Sequence, residues 1–244
     1  MPIVFTKGTV STGPFGGRGG VSGDFNGDGL PDLAVTTLAG DQVNIYLARG
    51  DGTFQQPSAL TKTGGQNLSL ISFDGDKDGK ADLLAADHAN GGVYVFKGVG
   101  NGTFLSPSKL GTVGNAHSLG FADFDGNGYL DFVVSGYSSS QVTVGKLGAN
   151  LSIVSAQTFS SGGAWARGIA TGDFNKDGNT DFVVTNVNSN NAVIYYGPNF
   201  STSLALSTGA YPVGAVSGDF NGDGRTDFVT SNYAGQSLSF FFNN

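Results

Sequence analysis

The chain has 244 residues, no cysteine and a net charge of −7, and all nineteen of its acidic residues are aspartate. Without cysteine there are no disulfides and no thiol chemistry, and twelve scattered Lys and Arg make no basic stripe of the kind nucleic acid needs. No apolar run is long enough to span a membrane, and forty-one glycines among many Asn, Ser and Thr predict short strands and tight turns in place of helices.

In chain order, the first element is an apolar stretch, IVFTKGTVSTG, read as a lone strand over 3–10. The opening MPIVFTKGTV lacks the charged and apolar regions of a secretory leader. The first full unit follows, with strands predicted at about 18–24, 32–37, 42–48 and 53–61. Its first two strands are joined by the nine-residue string DFNGDGLPD (24–32). Near-copies recur as DGDKDGKAD (74–82), DFDGNGYLD (123–131), DFNKDGNTD (173–181) and DFNGDGRTD (219–227). Each is followed by strands in the same order, such as DLLAAD, GVYVFKG and TFLSPSKL, or DFVVTN, NAVIYYG and FSTSLAL. The first aspartates stand at 24, 74, 123, 173 and 219, and a period near fifty predicts a propeller or a solenoid.

The last unit stops after its third strand, whereas the orphan strand at the start shares the composition and TG ending of the fourth strands. Residues 3–10 are therefore expected to complete the blade at 219–244 and close a ring, which protects sheet edges. The expectation is all-β: one domain over 1–244, a five-bladed β-propeller of four-stranded antiparallel blades.

Every aspartate except Asp41, Asp51 and Asp87 lies in the five strings. Each string sets an oxygen-bearing side chain at positions 1, 3, 5 and 9 and a glycine at position 6. Calcium takes six to eight oxygen ligands, and a tight loop with Asp or Asn at alternate positions aims several at one point. The expected side-chain ligands are Asp24, Asn26, Asp28 and Asp32; Asp74, Asp76, Asp78 and Asp82; Asp123, Asp125, Asn127 and Asp131; Asp173, Asn175, Asp177 and Asp181; and Asp219, Asn221, Asp223 and Asp227. The backbone carbonyls of Leu30, Lys80, Tyr129, Asn179 and Arg225 are expected between the last two ligands of each loop.

An EF-hand would need Glu at position 12, where Val35, Ala85, Val134, Val184 and Thr230 stand. Without a cation these loops would be acidic turns that crowd like charges, and five copies weigh against that reading. Magnesium fits less well, because it keeps several waters. Up to five calcium ions would turn −7 into about +3, so the acidity is a property of the metal-free chain.

The GDFNGDGxxD loops, the apolar strands after them and the turns GDGTF (50–54) and GNGTF (100–104) resemble the FG-GAP/VCBS repeat family over essentially the whole chain. The resemblance implies a propeller with calcium between the first and second strands of each blade, similar to the heads of integrin α-subunits. Relatives commonly have seven blades, so five is a departure. The second loop departs too. Gly75 replaces the usual Phe at position 2, and Phe73 stands before the loop where other copies have Gly or Ala, so its ring is expected to substitute.

The face opposite the calcium loops is where the repeats differ. Six residues before each first aspartate stand Arg18, Leu68, His117, Arg167 and Val213, and eight before stand Gly16, Gln66, Asn115, Trp165 and Tyr211. Six after each ninth position stand Leu38, His88, Tyr137, Val187 and Tyr233. Rings mixed with hydrogen-bonding groups stack on sugars and bond their hydroxyls. Arg18, His88, His117, Tyr137, Trp165, Arg167, Tyr211 and Tyr233 are the candidate ligand residues. The blander alternative is that Trp165 and Tyr211 fill gaps between blades.

Arg49-Gly50-Asp51 aligns with Val99-Gly100-Asn101 and is read as a hairpin turn, not an adhesion signal. No GxSxG, HExxH or phosphate-binding glycine loop occurs, so no enzyme is expected. Some VCBS-type propellers are fungal lectins, and the resemblance implies a carbohydrate-binding module. The alternatives are a protein-interaction or adhesion scaffold, and a consensus propeller with no evolved ligand. Low-affinity calcium loops suit the outside of a cell, where free calcium is near millimolar, so a glycan or a surface protein is the expected partner of a monomer.

Overall fold

Short runs of β-branched and aromatic residues, punctuated by Gly and Asx turns, form nineteen strands in the computed structural model, which describes residues 8–12, 16–37, 41–61 and 65–244. The strands make five antiparallel sheets in sequence order. The first holds β1 (Gly17–Gly23), β2 (Asp32–Thr37), β3 (Gln42–Tyr46) and β4 (Ser58–Thr61). The second holds β5 (Asn67–Phe73), β6 (Asp82–Asp87), β7 (Gly92–Phe96) and β8 (Ser108–Thr112). The third holds β9 (Ala116–Ala122), β10 (Asp131–Gly136), β11 (Gln141–Gly148) and β12 (Ser152–Ser160). The fourth holds β13 (Ala166–Gly172), β14 (Asp181–Asn186), β15 (Asn191–Tyr196) and β16 (Thr202–Ser207). The fifth has three strands, β17 (Pro212–Gly218), β18 (Asp227–Asn232) and β19 (Ser237–Phe241).

The fourth strand of the first unit is shorter than its predicted span of 53–61. Residues 49–53 are a turn closed by an isolated bridge between Ala48 and Phe54. Asp51 caps that turn by accepting from the Thr53 N–H and hydroxyl, as Asn101 does for Thr103. The Arg-Gly-Asp triplet is thus ordinary turn chemistry.

Each sheet is a blade, and successive blades pack inner strand on inner strand: β1 on β5, β5 on β9, β9 on β13 and β13 on β17. The second strands are buried on both faces; β6, β10 and β14 are buried at every residue, which is why they read as unbroken apolar runs. The cores lie between blades. The loop phenylalanine of one blade inserts against the next: Phe25 packs with Leu70, Leu83 and Phe96, Phe124 with Phe182 and Phe200, and Phe174 with Phe228. In the second blade Phe73 takes this role, packed with Leu147 and Leu151. A Cβ at Gly75 would collide with Leu151 and the Phe73 ring, so the swap of large and small residues is steric.

The fifth blade differs. Phe25 is 2% exposed, but its counterpart Phe220 is 48% exposed, because no following blade covers it among the described residues. The strand expected at 3–10 lies mostly outside the described residues, and residues 8–12 carry no strand. The Tyr46 hydroxyl donates to the Ser11 carbonyl at 3.0 Å. The same bond joins Tyr195 to Ser160, the last residue of β12, at 2.7 Å. In both pairs the partners are 35 residues apart.

Candidate calcium loops and a candidate ligand mouth

The five nine-residue loops share one hydrogen-bond plan. The first aspartate accepts the N–H of the glycine at position 6, as Asp24 does from Gly29 at 2.9 Å and Asp219 from Gly224 at 2.8 Å. These bonds are the main reason the Asp24 and Asp219 carboxyls lie below the usual range. That glycine has φ near +80° in every copy, a conformation that side chains resist. At positions 3 and 5, short side chains accept backbone N–H groups two residues on, which curls the loop inward; Asp76 is the exception, and pairs with Lys97 instead.

The ninth aspartate is buried. One oxygen of Asp32 accepts from the Phe25 N–H at 3.0 Å and the other from the Ala48 N–H at 2.7 Å. Asp82, Asp131, Asp181 and Asp227 repeat this bridge, from the loop's second residue to the end of the third strand. The ninth carboxylate therefore clamps the frame, and each oxygen keeps lone-pair capacity for a cation.

Three observations test whether calcium suits these residues. Carboxylate oxygens of Asp74, Asp76 and Asp78, and of Asp123, Asp125 and Asp131, lie within 4.8 Å of one another. In the second loop Asp76 Oδ1 is buried with no hydrogen-bond partner. Burial, reinforced by the neighbouring aspartates, pushes Asp82 and Asp131 up to about 6. Crowded, partly desolvated carboxylates with an orphaned oxygen are what a hard divalent cation relieves. In the second loop the Lys97 ammonium pairs with Asp76 and lies 3.8 Å from Asp78, so a protein cation already sits beside the cluster.

At the other end of the blades the two rows of variable residues meet. In all five blades the register between first and second strands slips by one residue, at Gly17/Gly20, Asn67/Ser69, the Ala116–Leu119 step, Ala166/Ile169 and Pro212/Gly214; three of the five slips hold a basic residue or a histidine. Arg18, His117 and Arg167 stand in these bulges. The donors freed there are taken by side-chain hydroxyls: Gly19 N–H by Thr36, Ser118 N–H by Ser135 and Gly168 N–H by Thr185. A bulge re-aims its side chain, and here the three turn into a shared mouth. The second row is tied to the first by backbone bonds, in which the N–H groups of His88, Tyr137 and Tyr233 donate to the carbonyls of Gln66, Asn115 and Tyr211.

Arg18, Gln66, His88, His117, Tyr137 and Arg167 line a cavity of about 210 Å³. His88 and His117 face each other at 5.8 Å, and Tyr137 lies 5.5 Å from His117 and 5.2 Å from Trp165. The Arg167 guanidinium sits 6.0 Å over the Tyr137 ring. Tyr211 and Tyr233 pair at 6.0 Å on the rim. Burial first, and then the Tyr211 hydroxyl, raises the Tyr137 hydroxyl above its ordinary value. Burial, followed by the charges of Arg167, His88 and Arg18, lowers His117 to about 4.

Trp165 is 37% exposed with its ring against Tyr137 of the preceding blade, and Tyr233 is 75% exposed. Val187 is buried, and Leu38 lies outside the described residues. Gln66 joins the lining although it was only one member of a row. The signal missing from the sequence is the bulge. Trp165 and Tyr211 also occupy left-handed backbone, with φ of 65° and 62°, where the matching residues are Gly16 and Asn115. Bulky side chains there are strained.

The FG-GAP-like repeat model matches residues 24–85, 74–134, 124–184 and 173–230. The chain belongs to the FG-GAP-like repeat family. This FG-GAP-like chain is similar in structure to an Agrocybe aegerita lectin described for specific recognition of non-reducing terminal N-acetylglucosamine. Identity is 20%, the match covers 92% of this chain and 63% of the lectin, and the TM-score is 0.60. It is also similar to a chain of a nidogen/laminin complex, with 12% identity, 93% and 76% coverage and a TM-score of 0.57. A virginiamycin B lyase from Staphylococcus aureus, solved with quinupristin, matches at 13% identity, 95% and 71% coverage and a TM-score of 0.60. At these identities the likeness is one of fold. The chain spans 63% of the lectin's length. No curated protein matches it by sequence.

Proposed function

We propose that this chain is a calcium-stabilised binding module, not an enzyme, and that it holds a carbohydrate at the mouth lined by Arg18, His88, His117, Tyr137 and Arg167 and rimmed by Trp165, Tyr211 and Tyr233. The observation that carries the reading is the pair of aromatic residues kept in left-handed backbone at that mouth. Strain of this kind costs roughly 1–3 kcal/mol and collects at functional sites. Calcium, when bound, supplies charge neutralisation to the five loops; the aspartates and asparagines named above hold it, and the ninth carboxylates transmit its position to the strands.

The frame in this reading is one domain over 1–244, closed by residues 3–10 as the outer strand of the blade at 219–244. Support comes from the Tyr46–Ser11 bond, which reproduces the Tyr195–Ser160 bond at the end of β12; closure further requires the first blade to cover Phe220, which is 48% exposed among the described residues. The place of action is outside the cell or at its surface, where calcium suits loops of this type.

A glycan array probed in calcium tests the function. Binding to a defined sugar set, lost in Trp165→Ala and Tyr211→Ala, is the expected result, and an array blank for all sugars removes the reading. A protein-interaction scaffold is the second reading, favoured by the exposed Val216, Phe220, Leu238, Phe240 and Phe242 of the fifth blade; it predicts indifference to every sugar on the array.

A further inference from the structure

The mouth is cationic in a protein whose net charge is −7. Two guanidiniums and two imidazoles converge on it, and its lining includes no carboxylate. Among the described residues neither Arg18 nor Arg167 makes an ion pair, and the ion pairs present involve Lys80 and Lys97 at the calcium loops. Asp87, beside His88 in sequence, is fully buried and accepts the backbone N–H groups of Gln66, Ala89 and Asn90. The Nδ1 of His88 is buried without a hydrogen-bond partner. Positive groups gathered together raise one another's free energy; burial first, and then the charges of Arg167, His88 and Arg18, depress His117, and the carboxylate that acts on His88, Asp87, is buried outside the lining. An arrangement that persists this way is complementary to an anion.

The anion's shape follows from the partners. Guanidinium groups bind carboxylates through paired, parallel N–H bonds. The Tyr137 ring lies beside the cations, under the Arg167 guanidinium and 5.2 Å from Trp165, so an acid carried on a ring with an apolar C–H face meets charge and stacking surface together. A cavity of about 210 Å³ is below the roughly 300–1,000 Å³ of drug-sized sites; it takes one sugar unit, with further units lying across Trp165 and Tyr211.

We infer that the mouth recognises the carboxylate of an acidic saccharide, a uronic acid unit, gripped by Arg18 and Arg167 with His88 and His117 donating and Tyr137 and Trp165 stacking on the ring. This rests on the carbohydrate reading above and narrows it.

Trp165 is the chain's only tryptophan, so its emission reports the mouth directly. The calcium-loaded full chain is titrated with D-glucuronate, D-glucose and acetate at fixed ionic strength. Glucuronate is expected to bind at least tenfold more tightly than glucose or acetate. Arg167→Gln and Arg18→Gln are each expected to weaken glucuronate about tenfold and to shrink its margin over glucose in the same variant, and Arg167→Lys to fall between. Melting curves of every variant confirm the fold. Equal affinities for glucuronate and glucose, or arginine variants that bind glucuronate like the parent, overturn the acidic-sugar inference and leave the carbohydrate reading standing if the array is positive. Acetate binding as tightly as glucuronate overturns the saccharide part of the inference, and the carbohydrate reading is then decided by the array alone.

Discussion

Trp165 and Tyr211 hold their left-handed conformation because their N–H groups are captured by Ser140 Oγ and Asn190 Oδ1, at 3.1 and 2.8 Å. Their carbonyls accept from Val187 and Tyr233. The turn needs this backbone, and glycine or asparagine would supply it without strain. Trp165→Asn is therefore expected to leave the melting temperature equal or higher, while glycan binding is lost. A variant that melts well below the parent would show the ring to be structural. His117 gives a second test at this scale. Its ordinary value is 6.5 and the fold lowers it to about 4, so the unfolded chain takes the proton first as pH falls. The group's neutrality thus costs stability as pH drops from 6.5 towards 4, and nothing above that window. Heteronuclear NMR of the imidazole is expected to show it neutral at pH 5.5.

At the scale of the element, the calcium loop was legible because its information is local. Four oxygen-bearing positions and one glycine within nine residues name the turn, and they are the ground on which calcium is proposed for it. Less legible was the double duty of the ninth aspartate, whose bonds reach 16 residues along to a third strand. The place of Phe73 was readable as a swap, but only its packing on Leu151 shows why Gly75 must stay small. The second loop also carries its own cation. Lys97 sits beside Asp76 and Asp78, and its ammonium is held charged chiefly by Asp76. An incoming calcium must displace it. Lys97→Gln is expected to tighten calcium binding at one loop and leave the other four unchanged, read by calorimetric titration; an unaltered isotherm would show that Lys97 does not compete.

Across the molecule, stability is distributed between neighbours, because each core lies between two blades. An ion bound only by the folded state stabilises it by mass action, about 2.7 kcal/mol per site at a hundredfold excess over Kd. A chelator is therefore expected to lower the melting temperature by many degrees and added calcium to restore it; identical melting curves would remove calcium from the frame. Closure is decided at the same scale. If residues 3–10 pair with β19, the amides of Ser237–Phe241 that face away from β18 exchange slowly. Deleting residues 1–12 should then release them; equal exchange in the two proteins would show an open edge.

Repeat number, blade order, the loop turns with their candidate ligands and the candidate mouth residues were all present in the linear sequence, since each rests on spacing within one unit of about fifty residues. Their convergence was not. The bulges that turn Arg18, His117 and Arg167 inward, the cavity they make with His88 and Tyr137, and the bare ring of Phe220 depend on how blades stand against one another. Spacing along a chain sets which groups share a turn or a strand face. Only packing between distant segments sets which charges end up near each other, and without which partners.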